Sequence, residues 1–152
     1  MEVFRLSREK FAKDLSGKGA ALKGARWNSP GVELIYTASN RSLAMAEVAV
    51  HFTYATMPDD YMMTTIFIPD NISISKLSPN DLPPDWNAFP HPLSTQTIGD
   101  QFISEHKYCL LQIPSVVTQG DYNILINPYH SEFLKIKIIS AEKFPFDRRI
   151  SK

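Results

Sequence analysis

Short runs of hydrophobic and β-branched residues, separated by turn residues, recur along most of this chain. They predict eight strands, over residues 3–6, 34–37, 61–69, 72–77, 109–113, 115–117, 123–126 and 135–139. Helical patterns are fewer and do not alternate regularly with the strands. The sequence therefore predicts an α+β fold.

Three segments have helical character, and one long segment has neither pattern. Ser7 is placed to cap a short helix that ends near residue 13, and Ser39 or Asn40 to cap a helix that runs to about residue 52. A third helix is predicted around residues 97–105. Residues 78–92 contain five prolines and few apolar anchors. We therefore predict a long surface loop there, suited to a lid or a partner contact.

The length and charge of the chain narrow its functional class. A chain of 152 residues is expected to form one domain, spanning residues 1–152, with a sizeable core. It has 16 basic and 16 acidic residues and no basic stripe, so direct binding to nucleic acid is not expected. No segment reaches the roughly 18 apolar residues of a membrane-spanning helix, and the N-terminus lacks the apolar stretch of a signal peptide. We therefore expect a cytoplasmic protein without membrane contact.

The sequence gives no support to disulfide, metal or glycine-loop chemistry. Cys109 is the sole cysteine and lies in the apolar run YCLL, which favours a buried, inert thiol over a nucleophile. The four histidines show no metal-ligand spacing with one another or with Cys109, so no metal site is predicted. The phosphate-binding patterns G-x-x-x-x-G-K-[ST] and G-x-G-x-x-G are absent, which argues against nucleotide binding of that kind.

Glu47 is the most distinctive candidate for chemistry, because it stands alone in an apolar helical segment. No other Asp, Glu, Lys or Arg occurs between residues 41 and 59. In a helix, Leu43, Ala46 and Val50 would share its face. A carboxylate on an apolar face is costly unless it is paired or hydrogen-bonded. Glu47 is therefore either a functional group or part of a structural ion pair, and the pattern alone does not separate the two.

A second candidate is Arg26, which follows three glycines and precedes a tryptophan. The glycines at 17, 19 and 24 predict a flexible passage into the run GARWN at residues 24–28. An arginine there suits a planar or phosphorylated ligand, because it offers a fork of donors to phosphate and stacks on aromatic rings. The alternative is a surface arginine packed over Trp27. Tyr36, at the end of a predicted strand, is either a ligand contact or a core or rim residue.

Ser115 is a third candidate, and it lies between apolar residues in the segment IPSVV at residues 113–117. It is not in the G-x-S-x-G pattern of a nucleophile elbow, so a hydrolase triad is poorly supported. Further along the chain, Asn127 and Pro128 predict a turn.

Taken in order, these pieces resemble the RES-domain family. The matching features are an early arginine (Arg5) on the first strand, the G-x-R-W-N run, a strand ending in tyrosine, an Ala-Glu pair at 46–47 and a P-S-V segment at 114–116. The segments LINPYH at 125–130 and FPFDRR at 144–149 complete the set, which covers nearly the whole chain. The turn SPG at 29–31 is slightly more compact than the family pattern but removes no motif residue.

The resemblance implies a fold similar to that of ADP-ribosyltransferases, with mixed, mainly antiparallel sheets, and an activity that consumes NAD. NAD is then a substrate, and no cofactor is expected. It also implies the toxin of a toxin–antitoxin pair, with an Xre-type helix-turn-helix antitoxin as partner and a homodimer as a common assembly. The arginine, glutamate and serine that name the family would be Arg26, Glu47 and Ser115 here.

Residue chemistry and resemblance together suggest a division of roles. Glu47 would stabilise the ribosyl cation while nicotinamide leaves, and Arg26 with Arg5 would grip the pyrophosphate. The remaining contacts would be stacking on the nicotinamide ring by Tyr36, a hydrogen bond from Ser115 to the carboxamide or a ribose hydroxyl, and shaping of the pocket by Asn127.

Three functions stay open at this point. The first is breakdown of NAD with water or phosphate as acceptor, and the second is transfer of ADP-ribose to a protein. The third is a non-catalytic binding module, in which Arg26 and Glu47 form a buried ion pair.

Overall fold

Seven strands form one mixed sheet, and three α-helices accompany it, in a computed structural model that describes residues 1–150 apart from the side chain of Tyr54. The predicted α+β class is confirmed. The strands are β1 (Glu2–Arg8), β2 (Ile35–Ala38), β3 (Tyr61–Phe67), β4 (Ile74–Lys76), β5 (Leu110–Pro114), β6 (Tyr122–Ile126) and β7 (Lys137–Lys143). The helices are α1 (Lys18–Lys23), α2 (Arg41–Ala49) and α3 (Leu93–Glu105).

The sheet has the strand order β4-β5-β6-β2-β1-β3-β7 and is antiparallel except between β4 and β5. Strand pairing is weakest at the centre of the sheet, between β1 and β2. β1 pairs with β3 along seven residues, but it meets β2 at the single pair Phe4 and Ala38. The two strands therefore diverge beyond that pair and leave a cleft in the middle of the sheet.

Alternation along the strands buries a different set of side chains on each face of the sheet. Ile35, Leu110 and Ile126 occupy neighbouring positions on one face and belong to one apolar cluster. On the other face, one cluster packs under α2 and another packs under α3. Both faces are thus covered, and the edges of the central cleft are held in place by core packing.

Helix α2 begins where the sequence predicts it. The Asn40 side chain caps it by accepting a hydrogen bond from the Leu43 amide at 2.7 Å. The helix ends at Ala49, before the predicted end near residue 52. Its buried face also differs from the prediction: Leu43 and Ala44 are buried, whereas Val50 is 62% exposed. The prediction that Val50 shares the apolar face is therefore wrong.

Two predictions in the first 25 residues are wrong. Ser7 belongs to strand β1 and caps no helix; a 3-10 turn at Glu9–Phe11 follows without a side-chain cap. The glycine-rich stretch, which was predicted as a flexible passage, contains the helix α1. Gly17 and Gly24 flank that helix with φ angles of 76° and 74°, a backbone region that favours glycine.

The predicted strand at 115–117 is also absent from the structure. The Ser115 hydroxyl accepts hydrogen bonds from the amides of Val117 and Thr118, which turns the chain immediately after β5. Helix α3 begins at Leu93, four residues before the predicted start, and the loop at 78–92 is confirmed except for a 3-10 turn at Pro79–Asp81. None of the helices in the described residues is long and apolar enough to cross a membrane.

Candidate active site

A cavity of about 560 Å³ opens in the cleft where β1 and β2 diverge. This volume is in the range of small-molecule and cofactor sites. α2 and the segment around α1 close its sides, and the end of β5 completes the wall. The charged residues at the cavity are Arg5, Asp14, Lys18, Arg26 and Glu47. The apolar lining includes Phe4, Leu6, Phe11, Leu22, Trp27, Leu34, Ala44, Val48 and Ile113.

Glu47 is the carboxylate that α2 carries to the cavity, and Ser115 fixes its orientation. The Ser115 hydroxyl donates to Glu47 Oε1 at 3.1 Å and accepts from the amides of Val117 and Thr118 at 3.1 and 3.0 Å. Two amides occupy the lone pairs of the hydroxyl, so its single proton points at the carboxylate. Ser115 is 4% exposed and is not among the residues that line the cavity. Ser115 thus lies behind Glu47 and contacts its carboxylate from outside the cavity wall.

Arg26 lies on the segment that α3 covers, and its guanidinium reaches the loop at 78–92. Nη1 donates to the carbonyls of Trp86 and Ala88 at 3.0 and 2.8 Å. The alternative of a surface arginine packed over Trp27 is not supported, because no cation–π contact between Arg26 and Trp27 occurs within residues 1–150. Burial lowers the pKa of Arg26, and the nearby Glu47 carboxylate opposes that shift.

Arg5 reaches the cavity from β1. Its Nη2 donates to the carbonyl of Phe11 at 2.8 Å and, more weakly, to that of Ala12 at 3.5 Å. Its Nε is buried without a hydrogen-bond partner. Burial lowers the pKa of Arg5, and the Asp14 carboxylate partly offsets the effect. A buried donor without a partner, on a cation at a cavity, suits an anionic ligand.

Tyr36 lines the cavity with its hydroxyl locked in place. The hydroxyl donates to Asn28 Oδ1 at 2.6 Å and accepts from the amide of Trp27 at 3.0 Å. Asn28 is fully buried and links Tyr36 to two neighbouring segments, because its Nδ2 donates to the carbonyls of Ala20 and Val32. Burial raises the pKa of Tyr36, so the phenol stays neutral at any ordinary pH. The ring is therefore held rigidly at the cavity wall.

The cavity brings together five of the six predicted site residues: four line it, and Ser115 supports Glu47 from behind. Asn127 is the exception. It is fully buried, its Oδ1 accepts from the amide of Tyr129 at 2.9 Å, and it is not among the lining residues. Within residues 1–150 no ion pair joins Arg26 to Glu47, so the alternative of a structural ion pair between them is not supported.

Three contributors to the site were not predicted from the sequence. Asp14, which lines the cavity beside Arg5, and Lys18, the first residue of α1, lie in ordinary polar stretches that carry no motif. Asn28 was visible only as the last letter of the run GARWN, and its position after Trp27 was the one available signal. Its side chain links the Arg26 segment to Ala20, Val32 and Tyr36, which are near in sequence but carry no pattern that pairs them with residue 28.

The described residues provide neither a cluster of metal ligands nor a reactive thiol. Across residues 1–150 no group of three His, Cys, Asp or Glu side chains is placed to hold a metal ion. Cys109 is fully buried, as the sequence predicts, and burial raises the pKa of its thiol to about 12. A thiol in this state is a poor nucleophile.

The family of the chain follows from comparison with known proteins. A family model described as the RES domain matches residues 2–148. The chain belongs to the RES-domain family. Three relatives resemble this RES domain over most of their length. The "Prs ADP-ribosylating toxin" of Sphingobium sp. (strain YBL2) is 36% identical, and the match covers 91% of this chain and 88% of the relative. A protein named "Toxin Res" from Yersinia enterocolitica is 32% identical over 99% of each chain. A second "Toxin Res", from Photorhabdus laumondii, is 34% identical over 100% of this chain and 98% of the relative.

A solved structure has the same fold. A chain in the crystal structure of the M. tuberculosis MbcT–MbcA toxin–antitoxin complex superposes on this RES domain with a TM-score of 0.76. The match covers 95% of this chain and 84% of the other, at 19% sequence identity. The fold of this chain is thus one already known from experiment.

Proposed function

We propose that this RES domain is the toxin of a toxin–antitoxin pair and that it breaks the nicotinamide–ribose bond of NAD in the cytoplasm. The observation that carries the proposal is the Glu47 carboxylate, oriented by the Ser115 proton at a cavity whose other charged residues are Arg5, Asp14, Lys18 and Arg26. A carboxylate, two cations and a rigid aromatic ring match the ribose, pyrophosphate and nicotinamide of one dinucleotide.

The chemistry of the bond explains why one carboxylate is enough. Nicotinamide carries its positive charge while it is bonded to ribose and leaves as a neutral molecule, so no general acid is required. What needs stabilisation is the positive charge that develops on the ribose, as in glycoside hydrolysis. A pre-oriented carboxylate in a partly closed cavity supplies that stabilisation electrostatically. Glu47 is held for this function by Ser115.

The other groups at the cavity bind and orient the dinucleotide. Arg26 and Arg5 each donate hydrogen bonds from one guanidinium nitrogen to backbone carbonyls. Their other donors bind the pyrophosphate oxygens. Tyr36 stacks on the nicotinamide ring, with its hydroxyl already committed to Asn28. Fixing the substrate in this way lowers the entropic part of the barrier.

The names of the relatives support the biological context. Two are named "Toxin Res", and the structural neighbour comes from a toxin–antitoxin complex. We therefore propose an antitoxin protein as partner, of the Xre helix-turn-helix type that the family resemblance implies.

The proposal includes two candidate reactions, which differ in the acceptor of the ADP-ribosyl group. With water, the C1′–N bond breaks, a C1′–O bond forms to the water oxygen, and one proton is released to solvent. Phosphate can take the place of water. The second candidate is transfer to a protein side chain, which the printed name of the Sphingobium relative, "Prs ADP-ribosylating toxin", favours. Both candidates share the bond-breaking step at Glu47.

A product assay tests the proposal and separates the acceptors. The purified chain is incubated with NAD labelled in the adenine, with and without phosphate, and with a bacterial lysate as a source of acceptor proteins. We expect release of nicotinamide in at least one condition. Free ADP-ribose identifies water, a phosphorylated ADP-ribose identifies phosphate, and label bound to protein identifies transfer. No nicotinamide release in any condition, from a folded chain, would refute the proposal.

A further inference from the structure

Both hydrogens of one Arg26 nitrogen are used by the proline-rich loop at residues 78–92. Nη1 donates to the carbonyl of Trp86 at 3.0 Å and to that of Ala88 at 2.8 Å. A guanidinium has five N–H donors in a fixed plane. Within the described residues, the Nε and Nη2 donors of Arg26 have no protein partner. The loop therefore binds Nη1 and leaves the Nε–Nη2 edge, which is a two-donor fork, without a protein partner on a residue that lines the cavity.

The backbone of Arg26 is fixed independently of its side chain. Thr95, in α3, donates from its hydroxyl to the Arg26 carbonyl at 2.6 Å. Gln96 holds the neighbouring residues, since its Nε2 donates to the carbonyls of Ala25 and Asn28. Arg26 is thus held at its backbone by α3 and at its guanidinium by the loop. The only freedom left is in the aliphatic part of the side chain between these two anchors.

The loop itself is fastened at two points close to the carbonyls that hold Arg26. Asp85 Oδ1 accepts a hydrogen bond from the Ser94 hydroxyl at 2.7 Å, which joins the loop to the first turn of α3. The partly buried Trp86 side chain packs against the apolar cluster that contains Trp27. The loop is therefore anchored to the same helix that fixes the Arg26 backbone.

We propose that the loop at 78–92 is part of the substrate-binding machinery: its Trp86 and Ala88 carbonyls orient the free edge of Arg26 toward a pyrophosphate, and the Ser94–Asp85 hydrogen bond locks that arrangement. This inference rests on the proposed function, because the anion it assigns to Arg26 is the pyrophosphate of NAD. Ser94 and Asp85 are positioning residues, since they act through Arg26 and not on the substrate.

The position of the pyrophosphate within NAD predicts which kinetic constant changes when Arg26 is no longer held in place. The pyrophosphate lies outside the bond that breaks, so Arg26 grips it in the ground state and in the transition state alike. Loss of such an interaction raises KM and leaves kcat nearly unchanged. A general loss of structure would instead lower the melting temperature and the amount of active enzyme.

The test compares two hydroxyl deletions, one helical turn apart, on α3. Ser94→Ala removes the lock, while Thr97→Ala removes a hydroxyl that donates only to the Leu93 carbonyl of its own helix. We expect Ser94→Ala to raise the KM for NAD about five- to tenfold with kcat within about twofold, and Thr97→Ala to resemble wild type. In the Arg26→Ala background, Ser94→Ala should add no further loss, because the residue through which it acts is gone.

Amide hydrogen exchange gives a second measurement that does not depend on turnover. Arg26→Ala and Ser94→Ala should each speed exchange at the amides of residues 85–89, and Thr97→Ala should not. If NAD is cleaved but Ser94→Ala and Thr97→Ala have the same KM, or if the two losses add in the double variant, the inference is overturned and the proposed function stands. If the wild-type chain neither binds nor cleaves NAD, the proposed function fails and the inference fails with it.

Discussion

At the scale of single residues, the site depends on where one hydroxyl proton points. Ser115 accepts two backbone amides and so directs its proton to Glu47. The sequence indicated Glu47 by its isolation in an apolar helix, and the resemblance indicated Ser115 as a substrate contact. Neither pattern could predict that the serine supports the glutamate, since residues 47 and 115 meet only in the folded chain.

Removing that hydroxyl should affect both stability and activity. In Ser115→Ala the amides of Val117 and Thr118 lose their acceptor and Glu47 loses its anchor, so we expect a loss of about 1–2 kcal/mol in the free energy of unfolding. Misplacement of the carboxylate should lower kcat/KM for nicotinamide release by about tenfold. Chemical denaturation and a nicotinamide assay measure the two effects.

Ser104→Ala is the matched control for this prediction. Ser104 is an exposed serine of α3 whose hydroxyl donates to the Gln101 carbonyl, and it is not among the residues that line the cavity. We expect wild-type activity and stability from it. Equal activities of Ser115→Ala and Ser104→Ala would show that Glu47 does not need Ser115.

At the scale of elements, the decisive contact is the one between α3 and the segment that carries Arg26. Gly99 makes it possible: a Cβ at this position would lie 1.6 Å from the Trp27 carbonyl oxygen. The helix can approach the segment closely because residue 99 has no side chain. Thr95 and Gln96, one turn earlier, then reach the backbone carbonyls around Arg26.

A methyl group at this contact should damage the fold. We expect Gly99→Ala to reduce the free energy of unfolding by about 3 kcal/mol or more, because helix or segment must shift. Gly19→Ala is the comparison, since a Cβ at residue 19 of α1 meets nothing within 4 Å. There the gain in helix propensity should leave stability unchanged or slightly raised. Thermal melts of the two variants check this, and similar melting temperatures would contradict the close approach.

Most elements could be predicted from local pattern, and the failures have local causes. Strands β1, β2, β3, β5 and β6 lie close to their predicted positions because alternation and β-branched residues favour them. α1 was missed because three glycines suggested a flexible passage, whereas two of them flank a helix as its N-cap and C-cap. The turn after β5 was mistaken for a strand because side-chain hydrogen bonds to the backbone leave no hydrophobic signal.

At the scale of the whole molecule, the cavity arises from the topology of the sheet. β1 and β2 are joined at one residue pair, and their divergence brings Arg5 and Tyr36 to opposite sides of one opening. Pairing between strands distant in sequence is not readable from periodicity. The sequence could therefore suggest which residues act, through the resemblance, but not that they surround a cleft in the sheet.

Burial of the single thiol gives the molecule a pH dependence in the alkaline range. The folded pKa of Cys109 is raised to about 12, above the value of about 8.5 for an unfolded thiol. Its contribution to stability is complete below about pH 8.5 and is lost as the pH rises from there toward the folded value, because the unfolded chain releases its proton first.

Melting curves test this effect. We expect the melting temperature to fall between about pH 7.5 and pH 9.5, and the fall to be smaller in Cys109→Ala, in which no thiol can ionise. Tyrosines ionise at higher pH when unfolded and contribute little in this window. An identical fall in both proteins would show that Cys109 does not cause it.

The most direct test of the central claim is nicotinamide release from NAD by wild type and Glu47→Gln, measured side by side with Glu142→Gln, an exposed glutamate outside the cavity. Glutamine keeps the shape of residue 47 but loses its charge. We expect a loss of about 100-fold or more in rate for Glu47→Gln, with an unchanged melting temperature, and none for Glu142→Gln. Equal rates for the wild type and Glu47→Gln would contradict the account.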